Sequence, residues 1–273
     1  MIQTEGLRFA YPGSSEVLRG IDLTIGDGEF VAIMGENGAG KTTLVKTFNG
    51  LLLPTGGKVR VDGVNTRESS VARLSKDVGL VFQNPDHQLF SETVREELAF
   101  SLRNFGYDED TIGRRTGTIL ETLDLTRYAD SSPFVLSGGE RKRVALAAVL
   151  VWNPKHIILD EPTIGQDYQQ KERLRHFIMQ LNAQGKTVIV ITHDVEFVAE
   201  CRPRIVLLSR GTVIGDGAAE DLLSDEELLE KASLTRPQIG ALMYQLRDFG
   251  LSDRLIDAYS AEQAILAKLG GKR

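Results

Sequence analysis

Short runs of apolar residues alternate along this chain with longer stretches in which apolar residues recur every three or four positions. The runs predict buried strands, because most contain β-branched residues and all lie beside turn or helix signals. They cover residues 30–34, 78–82, 156–160, 187–192 and 204–209. Strands that alternate with helices in this way favour an α/β fold with a mostly parallel sheet.

The first part of the chain has a different pattern. Residues 2–30 contain short strand-like pieces separated by turn residues at positions 11–13 and 26–28, and residues 58–62 form a similar piece before Gly63. Short strands bounded by such turn residues are typical of antiparallel pairing. We therefore expect an antiparallel β edge beside the parallel sheet.

Between Thr93 and Trp152 the apolar spacing becomes helical. Thr93 and Glu96 match a capping box at the start of one helix, and residues 112–123 continue the helical spacing despite the glycines at 113 and 117. This pattern predicts a helical subdomain of about residues 84–154, inserted into a sheet domain of residues 1–217.

A second helical segment closes the chain. Ser224 and Ser260 each stand three residues before Glu or Gln, which matches the capping-box pattern, and residues 234–237 between them predict a break. We expect a short C-terminal helical region over residues 218–273.

Composition narrows the classes of function. The 273 residues are 41% hydrophobic and 26% charged, as in soluble globular proteins, and the net charge of -6 disfavours non-specific nucleic-acid binding. The one cysteine, Cys201, excludes an internal disulfide and is expected to be a small buried residue at a helix end. The longest apolar run covers only residues 144–152 and no secretory signal is visible, so any membrane role is expected to need a partner.

The strongest local motif is a glycine-rich loop, the phosphate loop, which matches the pattern G-x-x-x-x-G-K-[ST] over residues 35–42. A predicted strand precedes it and a predicted helix follows, which disfavours a chance glycine-rich turn. Glycines there let backbone N–H groups converge on phosphate oxygens at a helix N-terminus. Lys41 is expected to reach the β- and γ-phosphates of a nucleotide, and the Thr42 hydroxyl to bind Mg²⁺. The predicted nucleotide-binding residues are Asn37, Gly38, Ala39, Gly40, Lys41, Thr42 and Thr43.

Two carboxylates, Asp160 and Glu161, end a later apolar strand. In a parallel sheet they would lie at the carboxyl edge, where ligands bind. Asp160 can then hold Mg²⁺, often through a water, and Glu161 can polarise an attacking water. The alternative for this motif alone is an acidic cap on a surface loop, and the phosphate loop favours the functional interpretation.

The segment Leu136-Ser137-Gly138-Gly139-Glu140, here called the signature segment, resembles the signature motif of ABC ATPases. The resemblance covers about residues 2–220. It implies the ABC ATPase fold, ATP and Mg²⁺ as ligands, and a dimer that sandwiches two nucleotides. In that family Ser137, Gly138, Gly139 and Glu140 would contact the γ-phosphate bound by the other subunit. Glu140 departs from the family's more frequent glutamine.

Four further positions match motifs of the family. Tyr11 resembles the aromatic residue that stacks on adenine, and Gln83 resembles the glutamine that touches Mg²⁺ and senses the membrane partner. Asp167 resembles the D-loop residue at the dimer seam, although Gln166 stands where leucine is common. His193 resembles the switch histidine that contacts the γ-phosphate. Singly, Tyr11 could be a turn aromatic, Gln83 a strand cap and His193 a structural histidine; the ordered set of motifs favours the family roles.

Three segments resemble the ATPases of energy-coupling factor importers, which take up vitamins or transition metals in prokaryotes: residues 83–90, 163–167 and 234–239. The resemblance implies a second ATPase subunit, identical or paralogous, a transmembrane coupling protein and a small substrate-binding membrane protein. It places the chain at the cytoplasmic face of the cell membrane. A coupling helix would dock near residues 84–90, with Leu89 and Phe90 supplying apolar contact.

The alternative function is a soluble ABC ATPase without a transport partner, for example in DNA maintenance. Such proteins carry long coiled-coil insertions or zinc modules, and this sequence has neither heptad repeats nor cysteine clusters. The importer interpretation, with no nucleic-acid partner, is therefore favoured.

Overall fold

Two β-sheets with helices around them make up residues 1–270, the part of the chain described by a computed structural model. The strands are β1 (Ile2–Ala10), β2 (Glu16–Ile25), β3 (Phe30–Met34), β4 (Gly56–Val61), β5 (Val64–Asn65), β6 (Val78–Val81), β7 (His156–Asp160), β8 (Thr187–Ile191), β9 (Arg204–Ser209) and β10 (Thr212–Ala218). The α-helices are α1 (Lys41–Phe48), α2 (Val71–Leu74), α3 (Val94–Asn104), α4 (Glu109–Thr122), α5 (Gly138–Leu150), α6 (Tyr168–Ala183), α7 (Val195–Cys201), α8 (Ala219–Leu222), α9 (Glu226–Lys231), α10 (Gln238–Gln245) and α11 (Ala258–Gly270).

The larger sheet has the strand order β10-β9-β3-β8-β7-β6. Its strands β9, β3, β8, β7 and β6 pair in parallel. β7 and β8 are buried along their whole length, as expected when both faces of a parallel sheet are covered. The mostly parallel α/β fold and the five predicted core strands are confirmed, with β6 and β8 ending one residue earlier than predicted.

The early strands form a second sheet with the order β2-β1-β4-β5, in which all neighbours are antiparallel. Antiparallel pairing agrees with the prediction, but these strands lie in a sheet of their own. The antiparallel edge of the larger sheet is β10, which the sequence pattern did not predict. Its residues Gly215, Asp216 and Gly217 interrupt the apolar alternation that would mark a strand.

Helices α3, α4 and α5 lie between β6 and β7 and share a hydrophobic core. Thr93 caps α3 as predicted, since its hydroxyl accepts a hydrogen bond from the N–H of Glu96 at 3.2 Å. Leu98, Ile112 and Val144 are buried in this core. A separate core of this kind supports the inserted helical subdomain, whose boundaries stay a prediction.

Replacing Gly113 with alanine should raise the free energy of unfolding by about 0.5–1 kcal/mol, because glycine loses more conformational freedom in a helix than alanine. Gly113 lies inside α4, and an added Cβ would meet no atom within 4 Å. Gly106 offers a matched control, since its surroundings are equally open but its φ is +83°. Urea unfolding should therefore show opposite shifts for Gly113→Ala and Gly106→Ala, and shifts of the same sign would contradict this account.

Two of the C-terminal helices, α9 and α11, begin at aspartates instead of the predicted serines. Asp225 caps α9 by accepting from the N–H of Leu228 at 3.0 Å, and the Asp257 carboxylate accepts from the N–H of Ser260 at 2.9 Å. The predictions for Ser224 and Ser260 were wrong because Asp225 and Asp257 cap these helices instead. An aspartate is as good a cap as a serine. The predicted break at residues 234–237 does separate α9 from α10.

The C-terminal region packs directly on the larger sheet. Leu223, Leu229 and Ile256 are buried in the same cluster as Leu207 of β9. Residues 271–273 of the predicted region 218–273 lie outside the described residues. Within residues 1–270, none of the helices is both long and apolar enough to cross a bilayer.

Cys201 ends α7 in the core beneath this region, with 6% of its surface exposed. Burial raises the pKa of its thiol to about 12, so the thiolate form is strongly disfavoured at neutral pH. The expectation of a small buried residue at a helix end is confirmed.

Candidate active site

Four neighbouring strands of the parallel sheet end at one edge, and predicted site residues follow each of them. The phosphate loop follows β3, and His193 comes shortly after β8. Asp160 ends β7 with Glu161 directly after it, and Gln83 comes shortly after β6. Because β3, β8, β7 and β6 are adjacent and parallel, their carboxyl ends bring these segments together.

The conformation of the phosphate loop depends on its glycines. Gly35 has a φ of +143°, and a Cβ there would lie 2.0 Å from the carbonyl oxygen of Leu208 on β9. Gly40, which precedes α1, has a φ of +102°, and its Cβ would lie 2.8 Å from Leu18. Side chains are therefore excluded at both positions, and the backbone can turn tightly into the N-terminus of α1.

Lys41 lies over the loop that precedes it. Its Nζ donates hydrogen bonds to the carbonyl oxygens of Gly35 at 2.7 Å and Glu36 at 2.9 Å. Burial lowers the pKa of Lys41, and the negative charges of Glu161 and Asp160 oppose that shift. A buried ammonium that is only partly compensated favours binding of an anion.

Thr42 and Asp160 converge from α1 and β7. The Thr42 hydroxyl donates to the Asp160 carboxylate at 3.0 Å. Burial raises the pKa of Asp160, the hydrogen bond from Thr42 opposes the shift, and the charge of Glu161 adds to it. A hydroxyl and a buried carboxylate beside a second carboxylate make a set of hard oxygen ligands that a divalent cation would stabilise.

Glu161 adopts a left-handed backbone conformation with φ of 48°, which is unusual for a side chain of this size. Its Oε1 is 3.0 Å from Nδ1 of His193, and its Oε2 is buried without a hydrogen-bond partner among the described residues. Strained backbone and an unsatisfied buried oxygen cluster at functional sites. An unpartnered carboxylate oxygen is a free hydrogen-bond acceptor.

A cavity of about 310 Å³ opens over these groups. Its lining comprises Val17, Asn37, Gly38, Gly40, Lys41, Thr42, Thr43, Gln83, Glu161, Ile164 and His193. Most of the residues predicted from the phosphate loop line it, together with Gln83, Glu161 and His193. Val17 and Ile164 line it as well, although nothing in the sequence pattern marks these two apolar residues as functional.

Tyr11 lies at the side of this cavity without lining it. Its hydroxyl is 3.2 Å from Oγ1 of Thr43, and its ring packs edge-to-face on Phe9. Tyr11 as a whole residue is 40% exposed.

The signature segment contributes none of the lining residues of this cavity, although Gly139 lines a second cavity together with Gln83, Asp160 and Glu161. Ser137 caps α5 in a reciprocal capping box, in which the Glu140 N–H donates to the Ser137 hydroxyl at 3.4 Å and the Ser137 N–H donates to the Glu140 carboxylate at 2.8 Å. The Ser137 hydroxyl also donates to that carboxylate, at 2.7 Å. The Tyr128 hydroxyl donates to the other carboxylate oxygen of Glu140. Sequence reasoning missed Tyr128, whose role depends on the fold.

Acid should weaken the Glu140 cap. Hydrogen bonds from Tyr128 and Ser137 lower the pKa of Glu140 from 4.5 to about 2. A lowered pKa in the folded state adds stability that is complete above pH 4.5 and is lost as the pH falls toward 2. Because the carboxylate is exposed and screened, we expect only about 0.5 kcal/mol.

Urea unfolding of the native protein and Glu140→Gln at about pH 5 and pH 3 measures this loss. The native protein should lose more unfolding free energy on acidification than Glu140→Gln does. The loss in Tyr128→Phe should lie between these two values. Equal acid sensitivity of all three proteins would argue against the pKa assignment.

Asp167 also acts as a helix cap in this structure. Its carboxylate accepts from the N–H of Gln170 at 2.8 Å and begins α6. Like the signature segment, Asp167 does not line the phosphate cavity of its own chain. The structure thus brings the phosphate loop, Gln83, Asp160, Glu161 and His193 together, with Tyr11 in contact with Thr43. Ser137, Gly138, Glu140 and Asp167 do not line the phosphate cavity.

Comparison with known proteins identifies the class. A protein-family model described as ABC transporter matches residues 18–164, which include the phosphate loop, the signature segment and both carboxylates. The chain belongs to the ABC transporter family and is an ATPase of that class.

More particular likenesses come from individual relatives. The energy-coupling factor transporter ATP-binding protein EcfA of Methanothermobacter thermautotrophicus is 38% identical over 99% of this chain and 88% of its own length. EcfA2 of Clostridium perfringens is 39% identical over 97% of each chain.

Two solved structures of ABC transporter ATPases have a similar fold. The structure of cbiO1 from Clostridium perfringens, part of the ABC transporter complex cbiONQ, has a TM-score of 0.75 and 35% identity over 89% of this chain and 98% of that one. The ATP-binding cassette MJ0796, a dimer in a post-hydrolysis state bound to ADP and Pi, has a TM-score of 0.72 and 31% identity over 80% of this chain and 99% of that one.

Proposed function

We propose that this chain is the ATP-hydrolysing subunit of an energy-coupling factor importer that takes up a vitamin or a transition-metal ion. The observation that carries the proposal is the extent of the likeness, since relatives named as energy-coupling factor ATP-binding proteins match nearly the whole chain, C-terminal helices included. Within the complex, the chain would lie at the cytoplasmic face of the membrane.

The phosphate loop would hold the triphosphate. Its backbone N–H groups and the N-terminus of α1 would face the phosphate oxygens, and Lys41 would move from the loop carbonyls to the β- and γ-phosphates. Thr42, Asp160 and Gln83 would hold Mg²⁺, which neutralises charge on the phosphate oxygens when bound. The hydrogen bond between the Thr42 hydroxyl and the buried Asp160 carboxylate, at 3.0 Å, supports this ligand set.

Hydrolysis would depend on Glu161 as the general base. Its unpartnered Oε2 would accept a proton from the attacking water, while its hydrogen bond with His193 fixes the carboxylate. His193, half exposed at the cavity, could then turn to the γ-phosphate and stabilise the developing charge.

A second ATPase subunit would complete each site. Ser137, Gly138, Gly139 and Glu140 lie outside the phosphate cavity of their own chain, which supports their action in the partner's site. Asp167 would lie at the seam between the subunits, and Tyr11 would stack on adenine. The dimeric neighbour bound to ADP and Pi supports such an arrangement.

The surface after β6 would receive a helix of the membrane partner. Phe90 is 58% exposed and packs edge-to-face against the exposed Phe100 at 4.7 Å between ring centroids. Leu89, which was expected to share this contact, is instead buried in the helical core. Phe90 and Phe100 are therefore the apolar anchors that we propose for the coupling helix.

Affinity purification from solubilised membranes of the native host tests the proposal. A tagged chain should recover a transmembrane coupling protein with small membrane proteins, whose identities would show the substrate class. Phe90→Asp is the matched variant, and it should lose these partners while ATP turnover by the isolated subunit stays unchanged. Recovery from the soluble fraction alone would leave the ATPase assignment intact and overturn the transport proposal.

A further inference from the structure

A contact distant in sequence joins the C-terminal region to the phosphate loop. The hydroxyl of Ser233, just after α9, donates to a carboxylate oxygen of Glu36 at 3.2 Å. Glu36 follows Gly35 directly in the phosphate loop. The nucleotide site is thus in direct contact with a segment outside the motifs of the ATPase domain.

The backbone at Ser233 has a conformation that normally favours glycine. Its φ is 54°, and it ends α9 with two hydrogen bonds, from its own N–H to Glu230 at 3.0 Å and from the N–H of Leu234 to Leu229 at 2.9 Å. This pattern is a Schellman motif, in which the left-handed position usually carries glycine. A serine is less favourable there than a glycine, and it supplies the hydroxyl that donates to Glu36.

The surroundings hold Ser233 in place. Ser209 at the end of β9 donates to the carbonyl oxygen of Lys231 at 2.9 Å, and Ala232 is fully buried. Leu229 packs in the core of the larger sheet. A short, well-anchored segment can fix the direction of the side chain that it contacts.

Glu36 lies close to the groups that bind phosphate. Its carbonyl oxygen accepts from Nζ of Lys41 at 2.9 Å and from the N–H of Ala39 at 3.2 Å. Its side chain does not line the phosphate cavity. The direction of the Glu36 carboxylate therefore decides how strongly it repels a bound triphosphate.

We propose that Ser233 is a positioning residue of the nucleotide site, whose hydroxyl holds the Glu36 carboxylate outside the phosphate loop and so couples the C-terminal helices to ATP affinity. The inference rests on nucleotide binding within the proposed function and does not depend on a membrane partner. Without the Ser233 hydroxyl, the carboxylate populates further rotamers, some of them nearer the triphosphate, and nucleotide binding must then either exclude those rotamers or bear the repulsion.

Calorimetric titration with the non-hydrolysable analogue AMP-PNP and Mg²⁺ tests the proposal on the full chain. Ser233→Ala and Ser233→Gly should each weaken binding about threefold to tenfold at low salt, and less at high salt, because the repulsion is screened. Ser233→Asn should restore the affinity, since asparagine tolerates this backbone conformation and can donate to Glu36.

Two controls separate positioning from general damage. Ser233→Gly relieves the strained backbone, so its thermal midpoint should equal or exceed that of the native protein while its affinity falls. In a Glu36→Gln background, Ser233→Ala should have no effect on affinity, because the charge that it releases is absent.

Unchanged affinity in Ser233→Ala, or an equal loss in the Glu36→Gln background, would overturn the inference. A native protein that binds no AMP-PNP would overturn both this inference and the proposed function, whereas native binding with insensitive variants overturns the inference alone.

Discussion

Replacing Glu161 with glutamine should lower ATP turnover by about 100-fold or more, because a general base contributes on the order of 10²–10⁴-fold to such a step. Glutamine keeps the shape of the side chain and can still bond to His193, but it cannot accept a proton from water. Nucleotide binding should survive, since the phosphate loop, Thr42 and Asp160 are unchanged. Steady-state phosphate release and AMP-PNP titration measure the two properties separately.

The matched control for Glu161→Gln is the same change at Glu172, a carboxylate on α6 that pairs with Arg175 and does not line the phosphate cavity. Glu172→Gln should turn over ATP at the native rate. If Glu161→Gln also kept the native rate, the base would have to be another group, and the geometry around Oε2 would need a different explanation.

Replacing Lys41 with alanine should weaken nucleotide binding by about 100-fold or more, because a buried charged donor to phosphate is lost where water is largely excluded. The fold itself should keep its stability. Burial already lowers the pKa of Lys41, so the charged form is disfavoured by folding and its removal costs little.

Thermal unfolding with and without AMP-PNP and Mg²⁺ measures both effects of Lys41→Ala. The midpoint without ligand should stay near the native value, and the shift produced by the ligand should vanish. Lys58→Ala, at an exposed position of β4, should keep the full shift. A Lys41→Ala protein with the native ligand-induced shift would remove this residue from the binding site.

The features that could be predicted from the sequence are those that depend on neighbours in the chain. The phosphate loop is fixed by glycines within a few positions of each other, and β7 and β8 are marked by continuous apolar runs. Once the strands are known to be parallel, the meeting of Asp160 with Thr42 follows from the common edge of the sheet.

The features that could not be predicted depend on contacts between distant segments. The strand β10 is held by pairing with β9 and carries glycines that weaken its own signal. The hydrogen bond between Ser233 and Glu36 joins residues 197 positions apart, and no local pattern marks either partner. Tyr128 likewise becomes relevant only because the fold places it against Glu140.

We propose that two ATPase subunits close around nucleotide, with the signature segment of one completing the site of the other. Light scattering of the Glu161→Gln protein is the most direct test of this dimer. The variant is measured alone and mixed with any ATPase that co-purifies from membranes. The account predicts a dimer only when ATP and Mg²⁺ are present. Adding Gly139→Asp should abolish the dimer but not ATP binding, because it places a carboxylate at the N-terminus of α5, where an added Cβ meets only Nε2 of Gln170, at 3.7 Å. A Glu161→Gln protein that binds ATP but remains monomeric, both alone and in the mixture, would contradict this arrangement.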